Sequence, residues 1–305
     1  MSVQYNNATN KINVDERYSA AFRPNLFYNT WLIDGVTYSS KFKTGPAGGF
    51  FVPKLTNDTR TVPGAPGRDF ADTLVKNDLL QIVLNNNYQE SDKLYNVAVE
   101  NIAAPVAAQT LANVTEKIKD GRAQSALACL YTEGTALTDT TAITKSNIKS
   151  QLIAARTVIV KKKGTANIVL CSPDVYGAIL EQAGAEFTPT RNEKIQMEGR
   201  VGTWLGMTIF ECNGLSTSAE EKYIDYSGTT KTVTAANFAL IDFVMYNSEA
   251  FSVLDNLELY RLVDEPTRFN GVLAQAEVNT GFRVANADLV AIKKHAAPEA
   301  AANIA

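Results

Sequence analysis

Most of the marks by which a sequence announces an enzyme, a membrane protein or a nucleic-acid wrapper are missing from these 305 residues. Histidine occurs once, as His295 near the C-terminus, and cysteine three times, as Cys129, Cys171 and Cys212, far apart and without CxxC spacing. That leaves no ligand set for a zinc or iron centre. A triad built on His295 is not expected, because it sits in a polar, Ala-rich tail. The cysteines lie in apolar segments and read as buried, reduced thiols. There is no GxSxG elbow, no HExxH and no GxxxxGK loop. Gly199, Gly202 and Gly206 do not spell GxGxxG, and they follow a loop rather than a strand. Glu181, Glu211, Asp242, Asp255 and Glu258 could pair in principle, but isolated carboxylates read as surface charges or structural ion pairs. Neither a catalytic residue nor a cofactor or metal is expected. No window approaches about eighteen unbroken apolar residues, so no membrane-spanning helix is expected. The N-terminus lacks the apolar core of a signal peptide. The 29 basic residues are balanced by 32 acidic ones, net -3, without the basic surplus that tight binding to phosphates requires.

What is present is apolar content and an unusual order of segments. Hydrophobic residues make up 45%, enough for two modest domains or one with long insertions. Residues 1–35 are polar and Asn-rich, with Tyr5, Tyr18, Phe22, Phe27, Tyr28 and Trp31 scattered through them. Too polar to form a core, this segment carries rings that can dock along a partner, and it reads as an arm. From residue 36 the pattern changes. Val36, Tyr38, Ser40 and Phe42 alternate with Thr37, Ser39, Lys41 and Lys43 at strand period. Gly45-Pro46-Ala47-Gly48-Gly49 breaks the chain, and Phe50 to Leu55 reads as a second strand, placed at an edge by Pro53. Pro63 to Gly67 breaks it again. Two short strands between Gly and Pro clusters predict a hairpin that projects from the body over residues 36–78.

Leu79 to Leu84 reads as an apolar strand ended by Asn85 to Asn87. Residues 103–131 read as one long helix: Leu111, Val114 and Ile118 keep helical spacing, and Leu127, Leu130 and Tyr131 continue the side. Pro105 suits its start and Gly134 its stop. Gly121 interrupts its middle. A second helix fits residues 146–162, capped by Ser146, with Ile148, Leu152, Ala155 and Ile159 on one face and Lys161 to Lys163 at its end. Ile168 to Cys171 is a buried strand; Ser172 and Pro173 open a helix that runs to about Ala183. Residues 184–200 read as loop, Met207 to Phe210 as strand, residues 214–235 as loop with short strands, and Phe238 to Met245 as strand.

In that order and spacing the segments resemble the major capsid proteins of tailed bacteriophages, which share the Hong Kong 97 fold. NIVLCSPDVYGAILEQ resembles the family's strand followed by a Ser/Thr-Pro helix. GRVGTWLGMTIFECNGL resembles its Gly-rich strand and turn. FALIDFVMYNSEAFSV resembles the strand that leads into the return segments, and GFRVANADLVAIKK its closing strand with Asn-Ala-Asp in the turn. The resemblance spans about residues 36–294.

It implies an α+β chain with an N-terminal arm (1–35), an extended loop (36–78), a peripheral domain with a long spine helix (79–134), an axial domain (135–250), return strands of the peripheral domain (251–280), and a closing strand and tail (281–305). It implies a structural protein, not an enzyme, that assembles with copies of itself in pentamers and hexamers into an icosahedral shell around double-stranded DNA. Scaffolding protein, portal and a decoration protein are the implied partners. DNA would be touched weakly and without sequence preference, and no membrane is involved. The implied location is the virion, with assembly in the host cytoplasm. Met1 so close to the arm implies a separate scaffolding protein. Assembly residues implied by position are Trp31, Lys41, Phe42, Lys43, Phe50, Phe51 and Lys54, with Gly121 as a soft point where the spine helix bends. Lys–Asn cross-links occur in some relatives; for Lys41, Lys43 and Lys54 solvation is the stronger reading. Two alternatives remain: an encapsulin-like compartment shell, and an α+β enzyme with an unrecognised site.

Overall fold

The computed structural model of the chain describes residues 43–44, 49–56, 76–95, 106–162, 164–183, 188–189, 200–216, 220–264 and 271–297. The N-terminal arm and most of the connecting segments of the extended loop lie outside them.

Three strands open the chain: β1 (Lys43–Thr44), β2 (Gly49–Thr56) and β3 (Lys76–Val83), in the order β1-β2-β3. The ladder from β1 to β2 is two residues long, Lys43 opposite Phe51 and Thr44 opposite Phe50. The longer ladder joins β2 to β3 over eight residues, from Gly49 opposite Val83 to Thr56 opposite Lys76. β3 therefore starts earlier than its apolar run and inside the stretch assigned to the loop. β2 is the middle strand by order, yet Pro53 lies beyond the reach of β1. It has one neighbour, Leu79, among the described residues, and this is where a missing N–H is tolerated.

Helix α1 (Val106–Glu133) has 28 residues and so is about 42 Å long. It packs on a sheet of β4 (Asn86–Tyr95), β13 (Phe251–Asp264) and β14 (Gly271–Val284), ordered β13-β14-β4 and antiparallel throughout. Ala107, Val114 and Ile118 of the helix meet Val272, Ala274, Ala276 and Val278 of β14, with Leu262 of β13. These β14 residues alternate along the strand, so one sheet face carries the contact.

A seven-stranded sheet forms the larger body. Its strands are β5 (Thr135–Ala136), β6 (Ile168–Cys171), β7 (Thr188–Pro189), β8 (Arg200–Trp204), β9 (Met207–Glu211), β12 (Ile241–Tyr246) and β15 (Val290–Lys294). Their order is β5-β15-β12-β6-β9-β8-β7. β6 runs parallel to β9, and β5 parallel to β15. Helix α3 (Pro173–Ala183) makes the crossover out of β6, and helix α2 (Ile148–Lys161) lies beside it. β6 and β12 are buried along their whole length, as near-continuous apolar strands covered on both faces should be. Alternate residues divide between two cores. Ile168, Leu170, Val244, Tyr246 and Ile292 face the C-terminal half of α1, where Ala126 to Leu130 are buried. Val169, Cys171, Phe243, Met245 and Ala291 face α2 and α3. β10 (Glu221–Ile224) and β11 (Thr230–Val233) form a separate hairpin, whose Tyr223 and Val233 join the α1 core.

The buried face of α2 is Ile148, Leu152, Ala155 and Ile159, the set given by its periodicity. Its start differs from the expected Ser146 cap. Asn147 occupies the cap position but makes no capping bond. Its side chain instead accepts from Thr144 N (2.7 Å) and donates to Ala142 O (2.8 Å), fastening the preceding loop. Ser172 does cap α3: its Oγ accepts from Val175 N at 3.4 Å. The segment from Phe238 is strand only from Ile241. Ala235–Ala239 form a short helix, α4, that turns Phe238 fully into the α1 core; a one-turn helix leaves no periodic trace. The β8–β9 hairpin turns on Leu205 (φ 53°) and Gly206 (φ 76°), the two positive φ values of a tight turn matched to strand twist.

Candidate assembly surfaces

Of the residues expected to act in assembly, Trp31, Lys41 and Phe42 lie outside the described residues. Lys43, Phe50, Phe51 and Lys54 fall together on β1 and β2. Lys43 stands opposite Phe51, Phe50 opposite Ile82, and Lys54 opposite Asp78 in the strand register. Gly121 is elsewhere, in the middle of α1. A Cβ there would lie 3.7 Å from the ring of Tyr88 on β4, an ordinary contact.

The β1-β2-β3 sheet joins the body at one end. Ile82 is fully buried, and β3 closes on β14 at Gly281, where an added Cβ would sit 2.7 Å from Val83 O and 2.9 Å from Ile82 Cγ2. Only glycine permits this approach. Just beyond, Asn86 grips the β10–β11 hairpin: its Nδ2 donates to Ile224 O (3.0 Å) and its Oδ1 accepts from Ile224 N (2.7 Å). Asn85 Nδ2 donates to Asp225 O at 3.1 Å. The side chains read from the sequence as strand breakers thus pin two sheets together. Glu133, the last residue of α1, completes the junction: its Oε2 accepts from Val284 N at 2.9 Å, at the end of β14. Burial pushes this carboxyl above its ordinary range, against the pull of the Val284 N–H and Arg283.

On the three-stranded sheet, β13 and β4 are the edges. Along β13, thirteen of the fourteen residues pair with β14, and none pairs on the other side among the described residues. The sheet carries a polar groove of about 260 Å³ lined by Gln89, Leu259, Arg261, Gln275 and Glu277 among others. Its side chains are already engaged with one another. Asn87 and Gln89 donate to Glu277 Oε1 (3.1 and 2.8 Å), and Arg261 Nε donates to Gln275 (2.9 Å). The larger sheet ends instead in the two-residue strands β5 and β7, too short to template a partner strand.

Reactive chemistry is scarce in this setting. All three cysteines are buried and free, and burial pushes the Cys212 thiol up to about 12 and those of Cys129 and Cys171 well above their ordinary value. Thiols held protonated are poor nucleophiles. His295 is not adrift in a tail: its Nδ1 lies 2.9 Å from Asp242 Oδ1, and its backbone N donates to Leu240 O. Glu181 pairs with Lys145 at the surface. Asp255 and Glu258 lie on β13. Lys293, buried on β15, donates to Asp139 O at 2.7 Å. Among the described residues no group of three or more His, Cys, Asp or Glu could hold a metal ion, and no helix is long and apolar enough to cross a membrane.

No protein-family model matches the chain, and no curated protein matches it. Solved structures do. The capsid of the cyanophage P-SCSP1u superposes with a TM-score of 0.61 at 14% identity, over 85% of each chain. The mature capsid of bacteriophage PhiM1 gives 0.58 at 15% identity, over 90% of this chain and 89% of that one. The capsid of an empty GTA particle gives 0.57 at 11% identity, over 90% and 93%. Identity at this level speaks for fold alone, and over most of the chain that fold is the α+β fold of phage capsid proteins.

Proposed function

We propose that this chain is a major capsid protein, which assembles with copies of itself into the icosahedral shell of a tailed phage. The observation that carries the reading is the likeness to solved capsid chains over 85–90% of this one. Physical features support it. Among the described residues the β1-β2-β3 sheet meets the body where Ile82 lies against Gly281. Such an element gains stability by lying across a neighbour. A subunit of net charge -3 suits a container that holds DNA weakly and releases it. The role is structural rather than catalytic.

In this reading, the α1 sheet is the peripheral domain, the seven-stranded sheet is the axial domain, and residues 36–78 form the loop that reaches a neighbouring subunit. Scaffolding, portal and decoration proteins are the further partners, and assembly takes place in the host cytoplasm. Gly121 is the soft point of the spine helix during expansion. Negative-stain microscopy of the purified chain, alone and with co-expressed phage proteins, tests the reading. Closed shells, tubes or rings of capsomers are expected. A compact monomer under every condition refutes it, and shells that retain an enzyme cargo would reassign it to a cellular compartment.

A further inference from the structure

Large apolar side chains are exposed at few places among the described residues. Ile153 (47% exposed), Val158 and Val160 (46%) are on α2, and Leu180 (47%) is on α3; only Tyr226 lies elsewhere. Both helices cover the same face of the seven-stranded sheet. Apolar side chains gathered on one face mark a contact surface more often than a solvated one.

The charges on the two helices differ in sign. α2 carries Lys149, Arg156 and Lys161 and no acid. α3 carries Asp174 and Glu181 and no base. At helical spacing Ile153, Arg156 and Val160 share one flank of α2. On α3, Asp174, Gly177 and Glu181 form an outward stripe beside Leu180. A Cβ at Gly177 would meet nothing within 4 Å, so the centre of this stripe is open. A basic helix with exposed apolar side chains and an acidic one therefore cover the same face of the sheet.

We propose that this face is a self-complementary contact with a second copy of the chain. α2 of each copy lies on α3 of the other, with Ile153 and Val160 beside Leu180 and Gly177, and Arg156 towards Glu181. A two-fold axis makes both pairings at once, because the helices share a face and carry opposite signs. Nucleic acid is a poor occupant, since Asp174 and Glu181 would face its phosphates. The Lys145–Glu181 pair within the chain is 3.5 Å long and mostly exposed on both sides, so redirecting Glu181 costs little. The contact goes beyond the shell reading, since it requires neither scaffold nor a closed particle.

Sedimentation velocity of the free, full-length chain tests it, with shells scored separately by microscopy. The wild type should associate reversibly, and less so in high salt. Arg156→Glu and Glu181→Arg should each weaken association by at least about tenfold. Mixing the two variants should restore it to within about threefold. Gly177→Gln should block association while leaving the melting temperature equal or higher, since it fills open space and improves helix propensity. Association unchanged in Gly177→Gln and in both charge variants would overturn the proposal. So would a mixture no stronger than its components, or a wild type that stays monomeric at every concentration reached. Failure to form shells bears on the capsid reading alone.

Discussion

Two glycine-to-alanine substitutions should move stability in opposite directions. Gly121 is in the interior of α1, and a methyl there meets only the Tyr88 ring at 3.7–3.8 Å. Gly121→Ala should gain about 1 kcal/mol from helix propensity and reduced unfolded-state freedom. Gly281 is the opposite case. A methyl would lie 2.7 Å from Val83 O, 2.9 Å from Ile82 Cγ2 and 3.2 Å from Val83 C. The first and last are backbone atoms, and Ile82 is wholly buried, so no flexible end can swing aside. β14 must lift from β3, at about 1–3 kcal/mol for overpacking. The two variants should therefore differ by about 2–4 kcal/mol. For a chain of this size that is about 4–8 °C between their melting temperatures. Scanning calorimetry of the free subunit at neutral pH measures it. Equal shifts, or a Gly281→Ala variant at least as stable as the wild type, would refute the close approach between β3 and β14. If Gly121 is also the bending point of α1 in the shell, its alanine variant should slow expansion measured by X-ray scattering.

Two further outcomes concern the junction around Asn86 and Glu133, and a third the extended loop. Asn86→Ala removes both bonds to Ile224 and leaves a buried N–H and C=O unpaired, which should cost about 2–4 kcal/mol in urea unfolding. Burial raises the Glu133 carboxyl above its ordinary 4.5, so its folded form holds the proton longer than the unfolded chain does. Its contribution is full below the unfolded value and is lost as pH rises through the folded one. Glu133→Gln should accordingly melt above the wild type at neutral pH and converge with it towards pH 4, in thermal scans across that range; a gap independent of pH would contradict the assignment. Replacing residues 44–68 by a short Gly-Ser link should leave the fold intact by circular dichroism and abolish assembly. Normal shells from that variant would remove the extended sheet from the assembly role.

The elements with strong periodicity were legible in the sequence. α1 and α2 are where their apolar residues place them, and β6 with its Ser172-capped helix follows from IVLCSPD alone. What escaped was set by contacts distant along the chain. Asn85 and Asn86 read as strand breakers, because their partners at Ile224 and Asp225 are about 140 positions away. Gly281 is one more residue in a strand until Val83 arrives beside it. Phe238 belongs to an apolar run by composition, and only the core beneath it turns Ala235–Ala239 into a helix. Of the assembly surface, the sequence marked the extended loop through its Gly and Pro clusters. It did not mark the pairing of β2 with β3, since residues 57–75 separate the two strands. Nor did it show the opposed charges of α2 and α3, which become a single surface only once both helices lie on the same sheet.

Helix α1 serves two masters. Its first half fills the core over the three-stranded sheet, and its second half fills the core beneath the seven-stranded one. A rod shared in this way cannot lose one end without loosening the other, because its backbone hydrogen bonds run unbroken between them. The two bodies should melt as a single calorimetric unit rather than in sequence, whatever their separate stabilities. A push on either sheet would then reach the other through the helix rather than be relieved by local melting.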